Sequence, residues 1–176
     1  MPTIYFIRHG EAEHNIGASI YGDAAYDMPE YWNPSLTDKG EQEAQTLQTM
    51  IDLHDKPIIV SPLQRALETA AIGFPGSTFI IDDRVSEFNP AWRCNRRIDT
   101  ATLRDEWPQH ILACHEKTPI AEETKDQLRH RVKTFMDSVV EDTVVVSHHD
   151  FIRAALDILG TECVRIHHCL PVIVQV

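Results

Sequence analysis

The sequence predicts an α/β fold, a three-layer α/β/α sandwich around a mostly parallel central sheet, from three observations. Short apolar runs rich in β-branched residues recur along the chain, and helical stripes separate them. The runs show little polar alternation, so their strands are covered on both faces, as in a parallel sheet flanked by helices. Residues 3–7 (TIYFI) form the first run, and others follow at 58–60, 78–81, 143–146 and 171–174. The first helical stripe, at Ala44, Leu47, Met50 and Ile51, follows Gly40. Leu63, Ala66, Leu67, Ala70 and Ala71 fall on one helix face, and Leu128, Val132, Phe135, Met136 and Val139 on another. Phe151, Ile152, Ala155, Leu156 and Leu159 make the last stripe. Around 100–113 a helix is possible but Pro108 interrupts it. Segments 16–36 and 84–99 lack periodicity and read as long loops able to cover a site.

With 176 residues the chain has the length of a single domain, taken as 1–176. An apolar fraction of 43% and a charged fraction of 24% describe an ordinary globule and exclude a disordered or collagenous chain. No apolar stretch approaches the ~18 residues of a membrane span, and Arg8 arrives before a signal-peptide core could form, so a cytoplasmic protein without a membrane partner is expected. The formal charge of −11, with no run of Lys and Arg, argues against a nucleic-acid partner. The four cysteines contain no C-x-x-C pair and are expected to be free and buried.

In an α/β protein, ligands bind beyond the carboxyl ends of the strands, so the residues there carry the chemistry. Run 3–7 leads into Arg8, His9 and Gly10; run 58–60 into Ser61, Gln64 and Arg65; run 78–81 towards Glu87; and run 143–146 into Ser147, His148, His149 and Asp150. Arginine forks and helix N-termini bind a tetrahedral oxyanion, which points to a small phosphorylated substrate. A neutral imidazole among cations is a competent nucleophile towards phosphorus, and a carboxyl group can protonate the leaving oxygen. That chemistry needs no metal or other cofactor. The His9, Glu11, His14 spacing lacks the helical pairing of zinc hydrolases, and adjacent His167 and His168 would face opposite sides of a strand. These histidines, apart from His9, read as structural or surface residues. Arg96 and Arg97, in a basic stretch of the 84–99 loop, are candidates to hold a second anionic group of the substrate.

The segments RHGEAEHN (8–15), LTDKGEQEA (36–44), VSPLQRALETA (60–70) and VVVSHHDFIRAAL (144–156) together resemble, in order, the histidine phosphatase superfamily, the phosphoglycerate-mutase-like branch. The resemblance implies a phosphoglycerate-mutase-like fold, His9 as the phosphorylated nucleophile, Arg8, Arg65 and His148 as ligands of the phosphoryl oxygens, and Glu87 as proton donor. It places Asn15 in the phosphate pocket, and His149 beside it where the superfamily usually has glycine. The expected activity is metal-independent hydrolysis of phosphomonoesters, which the chain length favours over mutase activity. The alternatives are a phosphoglycerate mutase, a protein-phosphohistidine phosphatase of the same superfamily, and a non-catalytic phospholigand-binding module.

Overall fold

The computed structural model describes residues 1–52, 56–116, 122–161 and 165–176. Six strands form one sheet: β1 (Thr3–Arg8), β2 (Ile58–Val60), β3 (Phe79–Asp82), β4 (Ile111–His115), β5 (Thr143–Ser147) and β6 (Val172–Gln175). Their order is β4-β3-β2-β5-β1-β6, with every pair parallel except β1 and β6. The helices are α1 (Glu13–Tyr21), α2 (Asp38–Met50), α3 (Gln64–Gly73), α4 (Thr100–Glu106), α5 (Lys125–Met136) and α6 (His149–Ile158).

Alternation along the central strands divides the core into two layers. Ile7, Val144 and Val146 face a cluster built on Ala44 and Leu47 of α2 and Ala66, Leu67 and Ala70 of α3. Ile4, Phe6 and Val145 face Leu128, Val132 and Phe135 of α5 and Phe151 and Ile152 of α6. In that second layer Phe151 meets Phe6 and Phe135 edge-on, with centroids 6.1 and 5.8 Å apart. Such contacts contribute ~0.5–1.5 kcal/mol each beyond area burial.

Three elements differ from the sequence expectation. The 100–113 segment is not one helix: Asp99 caps α4 by accepting from the Thr102 amide, and Pro108 comes just after the end of that helix. The chain then turns into β4, an edge strand with exposed and half-buried residues only. Segment 16–36 contains most of α1 and two 3-10 turns, Gly22–Asp27 and Pro29–Tyr31, rather than a plain loop. Segment 84–99 is likewise tightened by 3-10 turns at Asp83–Val85 and Arg93–Asn95. Among the described residues no helix is long and apolar enough to cross a membrane.

Candidate active site

Because β1, β2, β3 and β5 run parallel, their carboxyl-end residues gather along one sheet edge. β1 delivers Arg8 and His9, and the His9 amide donates to the Ser147 carbonyl at the end of β5. His148 comes next, as the N-cap of α6. β2 leads to Ser61 and then to Arg65 in the first turn of α3. Glu87 stands just beyond the turn after β3. Gly10 is required here, since a Cβ on it would collide with the Gly40 carbonyl at the start of α2. Its amide donates to Thr69 Oγ1 at 3.0 Å, tying the β1 exit to α3.

His9 is buried, and its ring has one defined tautomer. Nδ1 lies 2.7 Å from the Gly10 carbonyl, which can only accept, so Nδ1 carries the proton. Nε2 therefore presents its lone pair, towards which Arg65 Nε donates at 3.3 Å. Burial, and then the nearby Arg65 guanidinium, hold the His9 pKa well below its ordinary value, so the ring is neutral. Arg65 is itself fully buried and splayed by fixed acceptors: Nη1 donates to the Cys94 carbonyl at 3.1 Å and Nη2 to Asn95 Oδ1 at 2.7 Å.

Three further rings surround His9. His148 lies at 5.1 Å between centroids, His168 at 5.5 Å and His14 at 5.8 Å. His148 Nε2 is 2.7 Å from Ser61 Oγ, and its buried Nδ1 has no partner. Asn15 Oδ1 accepts from the Ala12 amide, which leaves Asn15 Nδ2 as a donor to His14 Nε2 at 3.4 Å. The proton of neutral His14 consequently sits on Nδ1, another buried nitrogen without a partner. Arg8 Nε is a third, although Arg8 Nη1 donates to the Ile166 carbonyl. An unsatisfied buried donor costs ~1–3 kcal/mol, and here such nitrogens cluster about one imidazole.

Glu87 closes the arrangement. Its Oε1 accepts from the amide of its neighbour Phe88 and from the Asp150 amide in the first turn of α6, at 2.9 and 3.1 Å. Burial of the carboxyl and then the nearby Asp150 charge raise its pKa above the usual carboxylate range. Arg8, His9, His14, Arg65 and Glu87 open onto a cavity of about 380 Å³, lined also by Asn15, Tyr26, Trp92 and His149; His148, wholly buried beside the His9 ring, does not line it.

A sequence model of the histidine phosphatase superfamily (branch 1) matches residues 4–169. The chain belongs to this superfamily. It is 34% identical over 125 residues to a protein of Schizosaccharomyces pombe named a probable phosphatase, covering 65% of this chain and 54% of that one. It is 33% identical over 143 residues to an Escherichia coli protein named a probable phosphoglycerate mutase, GpmB, covering 78% of this chain and 63% of that one. The chain thus spans between about half and two thirds of the length of these curated relatives. In fold it resembles the TTHB049 protein of Thermus thermophilus (TM-score 0.67, 21% identity, 98% of this chain and 93% of that one). A phosphoglycerate mutase of the same organism is also similar (TM-score 0.60, 20% identity, 98% and 92%).

The superfamily's usual glycine after the second histidine is His149 here, and the substitution strains nothing: His149 is the first residue of α6 and is not among the residues with positive φ. Its Nδ1 lies 2.8 Å from Asp150 Oδ1 at the cavity mouth. Arg96 and Arg97 depart from expectation, since neither lines the cavity. Arg97 spends its guanidinium on Asp83, the Ile98 carbonyl and Thr100 Oγ1, all within 2.9 Å. Exposed Arg96 lies over the Trp32 ring, 5.5 Å from its centroid.

The structure also brings in residues that strand-end reasoning passes over: His14, Asp23, Tyr26, Trp92 and Asn95. His14 is buried and His168 half-buried; His168 Nδ1 donates to the His9 carbonyl at 2.6 Å. Cys94 and Cys169 are buried and free, their thiols pushed up by burial to about 11 and about 12, whereas Cys163 lies outside the described residues. Cys114 is free but only half-buried.

A second buried network holds Glu87 from behind. Arg131 pairs with Glu123 at 2.8 Å and donates to the carbonyls of Arg84, Ser86 and Glu87. Glu123 accepts from the Asn89 amide. Arg131→Met should leave Glu123 charged and unpaired, at a cost of ~3–5 kcal/mol in urea unfolding. Adding Glu123→Leu should recover much of that loss, whereas additive losses would show the pair to be energetically unimportant.

The buried imidazoles make stability depend on pH. Burial, then Arg65, lowers the pKa of His9 and His148 well below the ordinary value and that of His14 to about 2. The unfolded chain therefore binds more protons once pH falls below ~6.5, and stability falls with it. The limiting slope is ~1.4 kcal/mol per pH unit for each histidine. Urea midpoints measured from pH 8 to 5 should fall on the acid side, and His14→Phe should flatten the slope.

Proposed function

We propose that the protein is a metal-independent phosphatase that hydrolyses small phosphomonoesters through a phosphohistidine on His9. The observation that carries this reading is the Nε2 lone pair of a neutral, tautomer-fixed His9 among buried nitrogens that lack partners. A phosphoryl group in the cavity gives Arg8 and His14 the acceptors that they lack, and Arg65 Nε can turn from His9 to a phosphoryl oxygen. His148, 5.1 Å from the His9 ring, stands beside the cavity and would reach that group only by turning towards it. Asn15 borders the same pocket.

In the first step His9 Nε2 attacks phosphorus, the P–N bond forms, and the ester P–O bond breaks. Glu87, whose raised pKa favours the proton-bearing form, transfers its proton to the leaving oxygen. Arg8 and Arg65 meet the charge on the equatorial oxygens, so catalysis is chiefly positioning and electrostatics. In the second step the Glu87 carboxylate takes a proton from water, whose oxygen attacks phosphorus. The P–N bond breaks, and inorganic phosphate and neutral His9 are restored.

Turnover of p-nitrophenyl phosphate in chelator, without added metal, tests the reading. Activity should persist, and vanadate, which mimics the trigonal-bipyramidal transition state, should inhibit competitively. Activity that vanishes in chelator and returns with one divalent ion would overturn it. Isomerisation of phosphoglycerate dependent on a bisphosphorylated primer, faster than hydrolysis, would instead make the protein a mutase like the relative named GpmB.

A further inference from the structure

We infer that the mouth of the cavity selects phosphomonoesters of aromatic alcohols carrying no second anionic group, an inference that deepens the phosphatase reading and rests on it. Burial grades the cavity from floor to mouth. His9 and Arg65 at the floor are almost wholly shielded, Tyr26 and Trp92 are half-buried, and Asp23 is exposed. With phosphate on the floor, the alcohol must lie against the side chains above it.

One wall there is aromatic. Tyr26 and Trp92 are in ring contact at 4.7 Å, and Trp92 continues edge-on to Phe88 at 6.5 Å. The ring faces come from separate segments, the Gly22–Asp27 turn and the stretch after Glu87, and a hydrogen bond joins them: the Arg93 amide donates to Asp27 Oδ1. A flat apolar group placed against this wall gains ring contact as well as area burial.

The charge at the mouth is negative. Asp23 and Asp150 border it, and among the described residues the only Lys or Arg side chains lining the cavity are the phosphate-binding candidates Arg8 and Arg65. The nearby cations are turned elsewhere: Arg93 and Arg96 lie over Trp32, Arg97 is held by Asp83, and Arg84 by Asp82. A carboxylate or second phosphate on the alcohol would thus enter a mouth that no Lys or Arg beyond Arg8 and Arg65 lines, beside Asp23 and an Asp150 already engaged by His149. The phosphoglycerates carry such a carboxylate, so this mouth disfavours them.

The test compares benzyl phosphate, ethyl phosphate and 4-carboxybenzyl phosphate by kcat/KM on the full chain, together with the Kd of benzylphosphonate and ethylphosphonate by calorimetry. Benzyl should exceed ethyl by about tenfold in both measurements, the ~1.4 kcal/mol that one aromatic contact supplies. The para-carboxylate should lower kcat/KM several-fold, less so at high salt and in Asp23→Asn, because the opposing charges are screened or removed. Trp92→Ala should bring the benzyl-to-ethyl ratio within about threefold of unity, and Trp92→Phe should keep most of it. Equal values for benzyl and ethyl in the wild type, or a preference for the carboxylated ester, would overturn the inference without needing any variant. A benzylphosphonate preference with no hydrolysis of any ester would leave the aromatic mouth standing and remove the phosphatase reading instead.

Discussion

His9→Ala should abolish turnover, by ~10⁴-fold or more, while leaving the protein folded, because removing a nucleophile takes away the step on which the others act. The ring sits at a strand exit outside the two apolar layers of the sheet, so its loss forfeits two hydrogen bonds, to the Gly10 carbonyl and from Arg65 Nε, at ~1 kcal/mol each. Removal of a buried neutral imidazole also lessens the acid destabilisation, so the fall in stability below pH ~6.5 should be shallower than in the wild type. Rapid mixing of wild-type protein with labelled phosphomonoester should trap one phosphate, acid-labile and base-stable, on His9. Label on His14 or His148, both within ring-contact range of His9, would transfer the nucleophile's role to that residue. Persistent turnover in His9→Ala would discard the covalent route altogether.

An element is legible in the sequence to the extent that its structure is determined locally. The strands of the sheet interior announce themselves because β1, β2, β3 and β5 are short apolar runs covered on both faces, and their order along the chain fixes which residues stand at the exits. β4 does not, since its apolar run at 111–114 holds one β-branched residue, Ile111, and leaves Leu112 exposed, so periodicity alone does not tell it from the end of a helix. α1 is hidden for a related reason: it buries His14 and Gly17 and exposes Ile16, Ile20 and Tyr21, inverting the apolar stripe by which a helix is recognised.

The same distinction runs through the site. Arg8, His9, Arg65 and His148 sit next to apolar runs, so the sheet brings them together as soon as its strands are parallel. Asn95 and Trp92 arrive from an irregular segment, held by tertiary contacts such as Asn95 Nδ2 to the Phe88 carbonyl and Asn95 Oδ1 to Arg65. No periodicity encodes those contacts. Arg96 and Arg97 show the converse, since charge in a loop near a site reveals nothing of its partners, and here Asp83 and Trp32 claim it. Arg131 belongs to α5, on the far face of the sheet from α2 and α3, yet reaches the carbonyl of Glu87.

Glu87→Gln should cost an alkyl phosphate ~10²–10⁴-fold in the phosphorylation step, because an alkoxide cannot depart readily without a proton. With p-nitrophenyl phosphate the phenolate leaves unprotonated, so the loss in that step should be far smaller, and single-turnover kinetics separate it from slower hydrolysis of the phosphohistidine. The direction of the shift sets the pH dependence. Since burial and Asp150 raise the Glu87 pKa, the proton-bearing form persists above the ordinary carboxylate range, and phosphorylation by an alkyl ester should decline as pH rises through that higher value. The limb should vanish in Glu87→Gln. Asp150→Asn, which removes the neighbouring charge while keeping the amide that Glu87 accepts from, should move the limb to lower pH without abolishing it. Arg131→Lys should raise the cost for the alkyl ester more than for the aryl ester, since it disturbs the carbonyl clamp that sets the carboxyl in place. Equal losses for both esters in Glu87→Gln would exclude it as the acid, and Asp150, the cavity carboxyl in the first turn of α6, would become the group to replace.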